Sequence, residues 1–526
     1  MYPVHARLGE HPGRGMPAAV LTVSLLVLFL LVGGFAPANA PGSDDPVLTD
    51  DPVPTDTADV VAPQERPPLQ PAESADESVE RIGVNTQFTD TEPTHCQLVP
   101  VLTSAVRALR VRHIRDNVST WDRANTTCTW VENGRLRTAR GVDILASLAP
   151  QARSLLVVNA LSKVTQAQLL SDDAILRRVS REGPDNDVLD LAEQLRRLGA
   201  LEGLEHTNEF DLSLLRTFRI GSTLIHPWVN QLRANTVGVN RLLRQRPALA
   251  DLPLVGPSFG RDASYEAYSE GFDTTAHQTA GNLHYYANGF MPEKSDDYRS
   301  GRLDDAVATA KAASPGQPLY VTEAGYHTAP DARGYQGEYT GASEMAASVY
   351  LPRMFLGLRN GGADRVYLFQ LRDRRNLGPA DQESYFGLLR WDGSKRPAFG
   401  AVTRLISTLD DPGPAYTPAP LRYSVNNPTG DVQSRLYGRR DGSYVLAIWR
   451  AVPVWDPLTR SPLDVKPARV GITLDEPEAF DAIYARLQDG GPTATAPKWR
   501  AARRAAGPIQ VDLSGDVHLV KLTPRR

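Results

Sequence analysis

The chain has 526 residues, a net charge of −4 and 41% hydrophobic residues. That length is too great for one compact core and suits two or three domains. Arginines are scattered and no basic stripe is interleaved with aromatics, which argues against nucleic acid as a partner.

Arg7 and Arg14 precede an apolar run from Ala18 to Ala36. This run is long for the apolar region of a signal peptide and just long enough to span a bilayer. Ala36-Pro37-Ala38 and Ala38-Asn39-Ala40 both resemble cleavage sites, and Pro41 hinders the second. Residues 1–40 therefore read as either a signal peptide or an uncleaved membrane anchor. Both place the rest of the chain outside the cytoplasm, secreted or held at the membrane through this segment alone. Residues 41–79 are rich in Pro, Asp, Ser and Thr. Residues 41–80 carry eleven acidic residues against one base, Arg66, which leaves about +6 for the remainder. A stretch so poor in large apolar residues is expected to be a disordered acidic linker. Cys96 and Cys128 are the only cysteines. In an oxidising compartment they are expected to pair; two buried thiols are the alternative.

From residue 80 the texture changes. Short apolar, β-rich runs occupy Ile82–Phe88, Val111–Asp116, Leu155–Asn159, Gly203–Glu209, Leu252–Ser258, Leu283–Tyr286, Leu319–Glu323 and Val366–Gln370. Amphipathic helical patterns lie between them, among them Leu98–Leu109, Val188–Leu198, Trp228–Leu243, Leu303–Ala313 and Ala342–Leu358. Eight strand–helix alternations predict an α/β fold, a (β/α)8 TIM barrel over residues 80–410. Periodicity does not separate a closed barrel from an open doubly wound sheet. Residues 411–526 carry short β-forming runs at Tyr444–Trp449, Val470–Leu474, Ile509–Leu513 and His518–Leu522. Turn signals such as Asp441-Gly442 separate them, which predicts a C-terminal β-sandwich.

In such a barrel the C-terminal strand ends carry the chemistry. The fourth run ends Glu205-His206-Thr207-Asn208-Glu209, and the seventh ends Val321-Thr322-Glu323-Ala324-Gly325. Two carboxylates converging on one site suit glycosidic cleavage: one protonates the leaving oxygen and the other attacks the anomeric carbon or activates water. Each run alone is weak, since a strand-end Glu in a surface ion pair or a helix cap looks the same. Their joint placement on strands four and seven is far more specific. A rival motif is Gly256-Pro257-Ser258-Phe259-Gly260, which matches the nucleophile elbow of a serine esterase built on Ser258, but Gly260-Arg261-Asp262 interrupts the helix that should follow. A non-catalytic glycan-binding barrel is a third reading. There is no H-E-x-x-H and no cysteine cluster, so no metal and no cofactor is expected.

These runs resemble glycoside hydrolase clan A, and within it the family 39-like bacterial exopolysaccharide hydrolases, over about residues 80–410. Ile82-Gly83-Val84-Asn85, Glu205–Asp211, Val321–Tyr326 and Tyr385–Phe399 carry the resemblance. It implies Glu209 as acid/base, Glu323 as nucleophile and Asn208 as a ligand for the hydroxyl beside the anomeric carbon. His284 and Tyr286, two residues apart, can share one face of strand six; the resemblance implies a tyrosine there bonded to the nucleophile. It also implies that Arg115, ending strand two, keeps that nucleophile ionised. Asn85 ends strand one. At strand eight the chain departs from the pattern, with Phe369 or Gln370 where many relatives place a tryptophan. That leaves the sugar open between a β-pyranoside and an arabinofuranoside. Trp121, Trp130, Trp228 and Trp391 are candidate sugar platforms, though a tryptophan seen only in sequence is more often core than platform. The expected partner is a polysaccharide or oligosaccharide, taken by a monomer.

Overall fold

Eight parallel strands alternate with eight helices among the described residues. Strands β1 (Ile82–Thr86), β2 (His113–Val118), β3 (Arg153–Val158), β4 (Leu201–Glu205), β5 (Leu254–Val255), β6 (Gly281–Tyr285), β7 (Leu319–Ala324) and β8 (Arg365–Leu368) form one sheet in the order β5-β4-β3-β2-β1-β8-β7-β6. A parallel bridge between Val255 and Ala280 joins the two outer strands, which closes the barrel. The computed structural model describes residues 66–89, 93–118, 127–158, 186–213, 218–220, 223–225, 227–294, 302–332, 340–374, 376–504 and 507–525. The apolar run 18–36 and Trp121 lie outside them. Among the described residues no helix is long and apolar enough to cross a membrane.

Strands β1 and β6 are buried at every position, as expected of strands covered on both faces. The helices α1 (Val99–Leu109), α2 (Gly141–Leu148), α3 (Asn186–Arg197), α4 (Pro227–Arg244), α5 (Asp262–Ser269), α6 (Leu303–Ala312), α7 (Glu344–Asn360) and α8 (Pro397–Leu409) pack outside them. The barrel interior is layered. Leu155, Val255, Ala280 and Tyr367 fill its lower part. Tyr367 donates to Glu202 Oε1 at 2.8 Å. Gly83 is needed at this level, because a Cβ there would lie 2.3 Å from the Tyr367 ring. A polar group of His113, Glu202 and Arg365 lies near the N-terminal strand ends, and a second polar layer lies at the C-terminal strand ends.

The second region is a two-sheet sandwich. Leu421–Val425, Ala468–Leu474 and Ile509–Leu513 lie in one sheet; Val432–Gly438, Tyr444–Arg450, His518–Pro524 and Phe480–Arg486 lie in the other. Alternating side chains such as Tyr423, Ile472, Val511, Leu446 and Val520 meet between them. One boundary needs correction. Residues 66–79, assigned above to the linker, are ordered: Leu69–Gln70 pairs with Leu421–Arg422, Glu73–Ser74 pairs with Tyr437–Gly438, and the helix Ala75–Val79 packs on α8. Three of the acidic residues that suggested a tether, Glu73, Asp76 and Glu80, have arginine partners far away in sequence. Asp76 and Glu80 hold Arg112, and Glu73 holds Arg359 and Arg435. Residues Glu65–Arg526 cluster as one unit, and Met1–Gln64 lies outside the described residues.

Cys96 and Cys128 form a disulfide across 32 residues of sequence. It ties the helix Pro93–Gln97, after β1, to the hairpin Thr127–Glu132/Arg135–Arg140, after β2.

Candidate active site

Strand ends β1, β2, β4, β6 and β7 converge on one polar cluster, and Arg115 on β2 is its centre. Its Nε and Nη2 donate to the two oxygens of Glu205 at 2.6 and 2.8 Å. Nη1 donates to Asn85 Oδ1 at 2.8 Å and to Glu323 Oε1 at 2.6 Å, and Nη2 to Asn208 Oδ1 at 2.7 Å. The guanidinium is buried, so each contact acts in a medium of low dielectric. Arg115 therefore fixes Glu323 from below and turns the amide nitrogen of Asn208 toward the cleft.

Glu323 owes its aim to a bulge. β6 pairs Leu283 with Val321 and then His284 with Glu323, so Thr322 is an extra residue in β7. Tyr286 Oη donates to Glu323 Oε2 at 2.5 Å, and His284 Nδ1 lies 3.5 Å from the same oxygen. Burial alone would push the Glu323 carboxyl up. The charges of His284 and Arg115 and the hydrogen bonds from Tyr286 and Arg115 outweigh it, and hold the group below its ordinary 4.5. Glu323 is thus poised as a carboxylate.

Glu209 follows β4 in a left-handed conformation, φ 42°, which is uncommon outside glycine and turns its side chain back over the strand ends. Its backbone N–H donates to Ser258 O at 3.2 Å and Ser258 Oγ at 3.3 Å. His284 Nδ1 lies 2.8 Å from Glu209 Oε1, and its Nε2 lies 3.0 Å from Thr322 Oγ1. Burial disfavours the imidazolium, but Glu323 and Glu209 more than compensate and raise the His284 pKa above its ordinary 6.5. One ligating atom from each of Glu209, His284 and Glu323 lies within 4.8 Å of the others. A trio so spaced could share a proton or hold a cation. The guanidinium already on Glu323 opposes a second positive ion there.

The nine sequence-predicted site residues divide into three groups. Glu209, Glu323, His284, Tyr286, Asn208 and Arg115 come together as one bonded cluster. Asn85 sits behind it, donating to Thr322 O at 2.9 Å, so it braces β1 against β7. Phe369 and Gln370 lie beyond β8. Phe369 forms an aromatic corner with Tyr286 and Phe386, centroids 5.3–6.0 Å apart, while Gln370 is buried and accepts from Gln87 Nε2 at 3.1 Å. The structure adds Glu205, Thr322, Asn282 and Phe386. Asn282 Nδ2 donates to Glu205 Oε1 at 3.1 Å, and Thr322 Oγ1 donates to Asn282 Oδ1 at 2.7 Å.

The rival assignments fall elsewhere. Ser258 is fully buried, its hydroxyl engaged by the Glu209 N–H, and the next helix starts only at Asp262. Trp228 is core against Phe259, Trp130 packs on the core, and Trp391 lies beneath Arg372.

No protein-family model matches the chain, and no curated protein does. Solved structures do. A family 39 glycoside hydrolase from the gut symbiont Bacteroides cellulosilyticus WH2 superposes with a TM-score of 0.54 at 14% identity, over 86% of this chain and 82% of that one. The fold is shared with a family 39 glycoside hydrolase. SrfJ from Salmonella typhimurium aligns at 11% identity over 88% and 91% of the two chains, with a TM-score of 0.47. A glucosidase from Croceicoccus marinus aligns at 12% identity over 81% and 92%, with a TM-score of 0.44.

Proposed function

We propose that the chain is a retaining glycoside hydrolase of an extracellular or cell-wall glycan. The observation that carries this reading is the spacing of the two carboxyls, an oxygen of Glu209 lying within 4.8 Å of an oxygen of Glu323. Retaining pairs sit about 5–5.5 Å apart and inverting pairs about 6.5–9.5 Å, because only the latter leave room for a water between sugar and base.

In the first step Glu323 Oε2 or Oε1 attacks the anomeric carbon as Glu209 delivers its proton to the departing glycosidic oxygen. The C–O bond to the leaving group breaks and a glycosyl ester on Glu323 forms. In the second step Glu209, now a carboxylate, takes a proton from water, which attacks the anomeric carbon and frees Glu323. His284 supports both steps. With Nε2–H given to Thr322 Oγ1, whose own proton goes to Asn282, the Nδ1 atom and Glu209 Oε1 share one proton across 2.8 Å. That contact keeps the acid proton at hand and later stabilises the carboxylate. Arg115 and Tyr286 hold Glu323 ionised and aligned. Asn208 offers its amide to the neighbouring hydroxyl. The aromatic corner of Phe369, Phe386 and Tyr286 supplies the apolar wall against which a sugar packs. The buried disulfide and the apolar run at residues 18–36 support an address outside the cytoplasm.

The test is a panel of 2,4-dinitrophenyl glycosides, pyranosides and arabinofuranosides alike, together with wall and capsular polysaccharides. The expected result is turnover of at least one member with retained anomeric configuration by ¹H NMR. Glu209→Gln and Glu323→Gln should lose nearly all activity on polysaccharide while keeping the parent's thermal stability within a few degrees. Inverted product, or full activity in Glu323→Gln, would sink the proposal.

A further inference from the structure

The β-sandwich reaches in under the active-site rim. Its hairpin Trp455–Asp456/Ser461–Pro462 lies against the chain that runs on from Glu323. Arg460, at φ 55°, donates to the carbonyls of Ala329 at 2.9 Å and Ala332 at 3.0 Å, and to that of Thr340. Trp455 Nε1 donates to Gly341 O at 3.1 Å. The backbone N–H groups of Val454 and Trp455 donate to Tyr350 Oη at 2.9 and 3.2 Å. The same interface is pinned by Arg353 in α7, fully buried, which pairs with Glu293 and donates to Val452 O at 2.8 Å.

The carbonyls held in this way flank His327, four residues beyond Glu323. Ala342 N donates to His327 O at 3.0 Å, and a Cβ on Gly341 would lie 2.4 Å from His327 Cε1, so the imidazole rests directly on that glycine. His327 is buried, and among the described residues neither ring nitrogen has a hydrogen-bond partner. Burial keeps it neutral, with its pKa pushed down to about 3. A ring with no polar tether is aimed only by what packs around it. On its other side His327 meets Phe386 edge-on at 5.5 Å. Phe386 in turn packs on Tyr286 at 5.5 Å, and Tyr286 holds Glu323. Thr328 N donates to Tyr385 O at 3.0 Å, which joins the two loops beside this contact.

We propose that Arg460 and Trp455 of the β-sandwich are positioning residues for the barrel's active site, fixing the backbone around His327 and, through His327 and Phe386, the Tyr286 hydroxyl on Glu323. The proposal rests on Glu323 being the nucleophile. It makes the sandwich part of the catalytic apparatus rather than an appended module. Three carbonyls on one guanidinium need its planar, forked donors, which a lysine ammonium does not supply.

The experiment uses the full chain with Arg460→Ala, Arg460→Lys and Trp455→Phe. The last keeps an aromatic ring while removing the N–H to Gly341 together with part of the buried indole. Arg469→Ala is the control, since Arg469 pairs with Asp512 on an exposed face of the same domain. Deuterium exchange is expected to speed up at least tenfold in the peptides carrying Thr328 and Ala342, and to stay unchanged in those carrying β1 and β4. On the dinitrophenyl glycoside turned over in the panel, kcat should fall about 10- to 100-fold with KM within about threefold, the signature of a small misplacement of reacting groups. Arg460→Lys should recover only part of this, and Arg469→Ala should change neither readout. Parental exchange and kcat in both Arg460→Ala and Trp455→Phe would overturn the proposal. So would exchange that rises equally in every strand with kcat per folded molecule unchanged. If Glu323→Gln retains turnover, the functional assignment fails on its own evidence, while the exchange data still judge the positioning.

Discussion

Replacing Arg115 with Met removes a guanidinium that makes five polar contacts, two to Glu205 and one each to Asn85, Glu323 and Asn208. It leaves Glu205, which has no solvent exposure, with Asn282 as its side-chain donor among the described residues, since the one Thr322 proton goes to Asn282. Breaking a buried ion pair from one side costs about 3–5 kcal/mol, because the abandoned charge stays desolvated. That is a large part of the roughly 5–15 kcal/mol that holds a typical domain. Arg115→Met should therefore lose about 3–5 kcal/mol by urea unfolding followed by tryptophan fluorescence. The double variant Arg115→Met/Glu205→Gln removes the orphaned charge and keeps a side chain that Asn282 can bond. It should be about 2 kcal/mol more stable than the single variant, a coupling of the size expected for residues in one network. Activity should stay lost in both, since Glu323 has lost the cation beside it. A single variant within about 1 kcal/mol of the parent, or a double variant no more stable than the single, would refute the idea that Arg115 compensates two buried carboxylates.

Three further outcomes follow from the same geometry. Tyr286→Phe removes a hydrogen bond that helps hold Glu323 below 4.5, so the acid limb of kcat/KM should move to higher pH; an unmoved limb would contradict the role given to Tyr286. The His284 pKa is raised above 6.5, so the stability its charge contributes is complete below pH 6.5 and lost as the pH rises through the higher folded value. Urea midpoints of the parent and His284→Asn should therefore differ most at pH 5 and converge at alkaline pH, and a gap that widens with pH would be inconsistent. Cys96→Ser/Cys128→Ser opens a 32-residue loop and should cost about 3–4 kcal/mol on the chain-entropy estimate, read as a lower thermal midpoint under non-reducing conditions.

Much of this arrangement was legible in the sequence, for reasons that particular residues make plain. The eight barrel strands read as apolar runs because parallel strands are buried on both faces, and Asn208-Glu209 and Thr322-Glu323 stood out as polar residues ending such runs. His284 and Tyr286 share a direction because strand side chains repeat every two residues, and both reach Glu323. Thr322 was hidden by that same rule. Strict alternation aims it away from the site, and only the bulge in β7 brings it in beside Glu323. Glu205 was quoted within a motif but given no role, because its importance lies in a bidentate contact to Arg115, ninety residues away. Phe386 and His327 enter through loop packing, which has no period. Residues 66–79 read as linker because composition counts charges and cannot see that Asp76, Glu80 and Glu73 meet arginines from the barrel and the sandwich.

The most direct measurement of the central claim is trapping of the glycosyl-enzyme. The full chain is incubated with 2-deoxy-2-fluoro glycosyl fluorides of the sugars turned over in the panel, digested, and its peptides are read by mass spectrometry. A fluoroglycosyl adduct is expected on Glu323, formed by the parent and absent from Glu323→Gln. An adduct on Glu209 or Glu205 instead, or inverted product with no adduct on any carboxylate, would contradict the account.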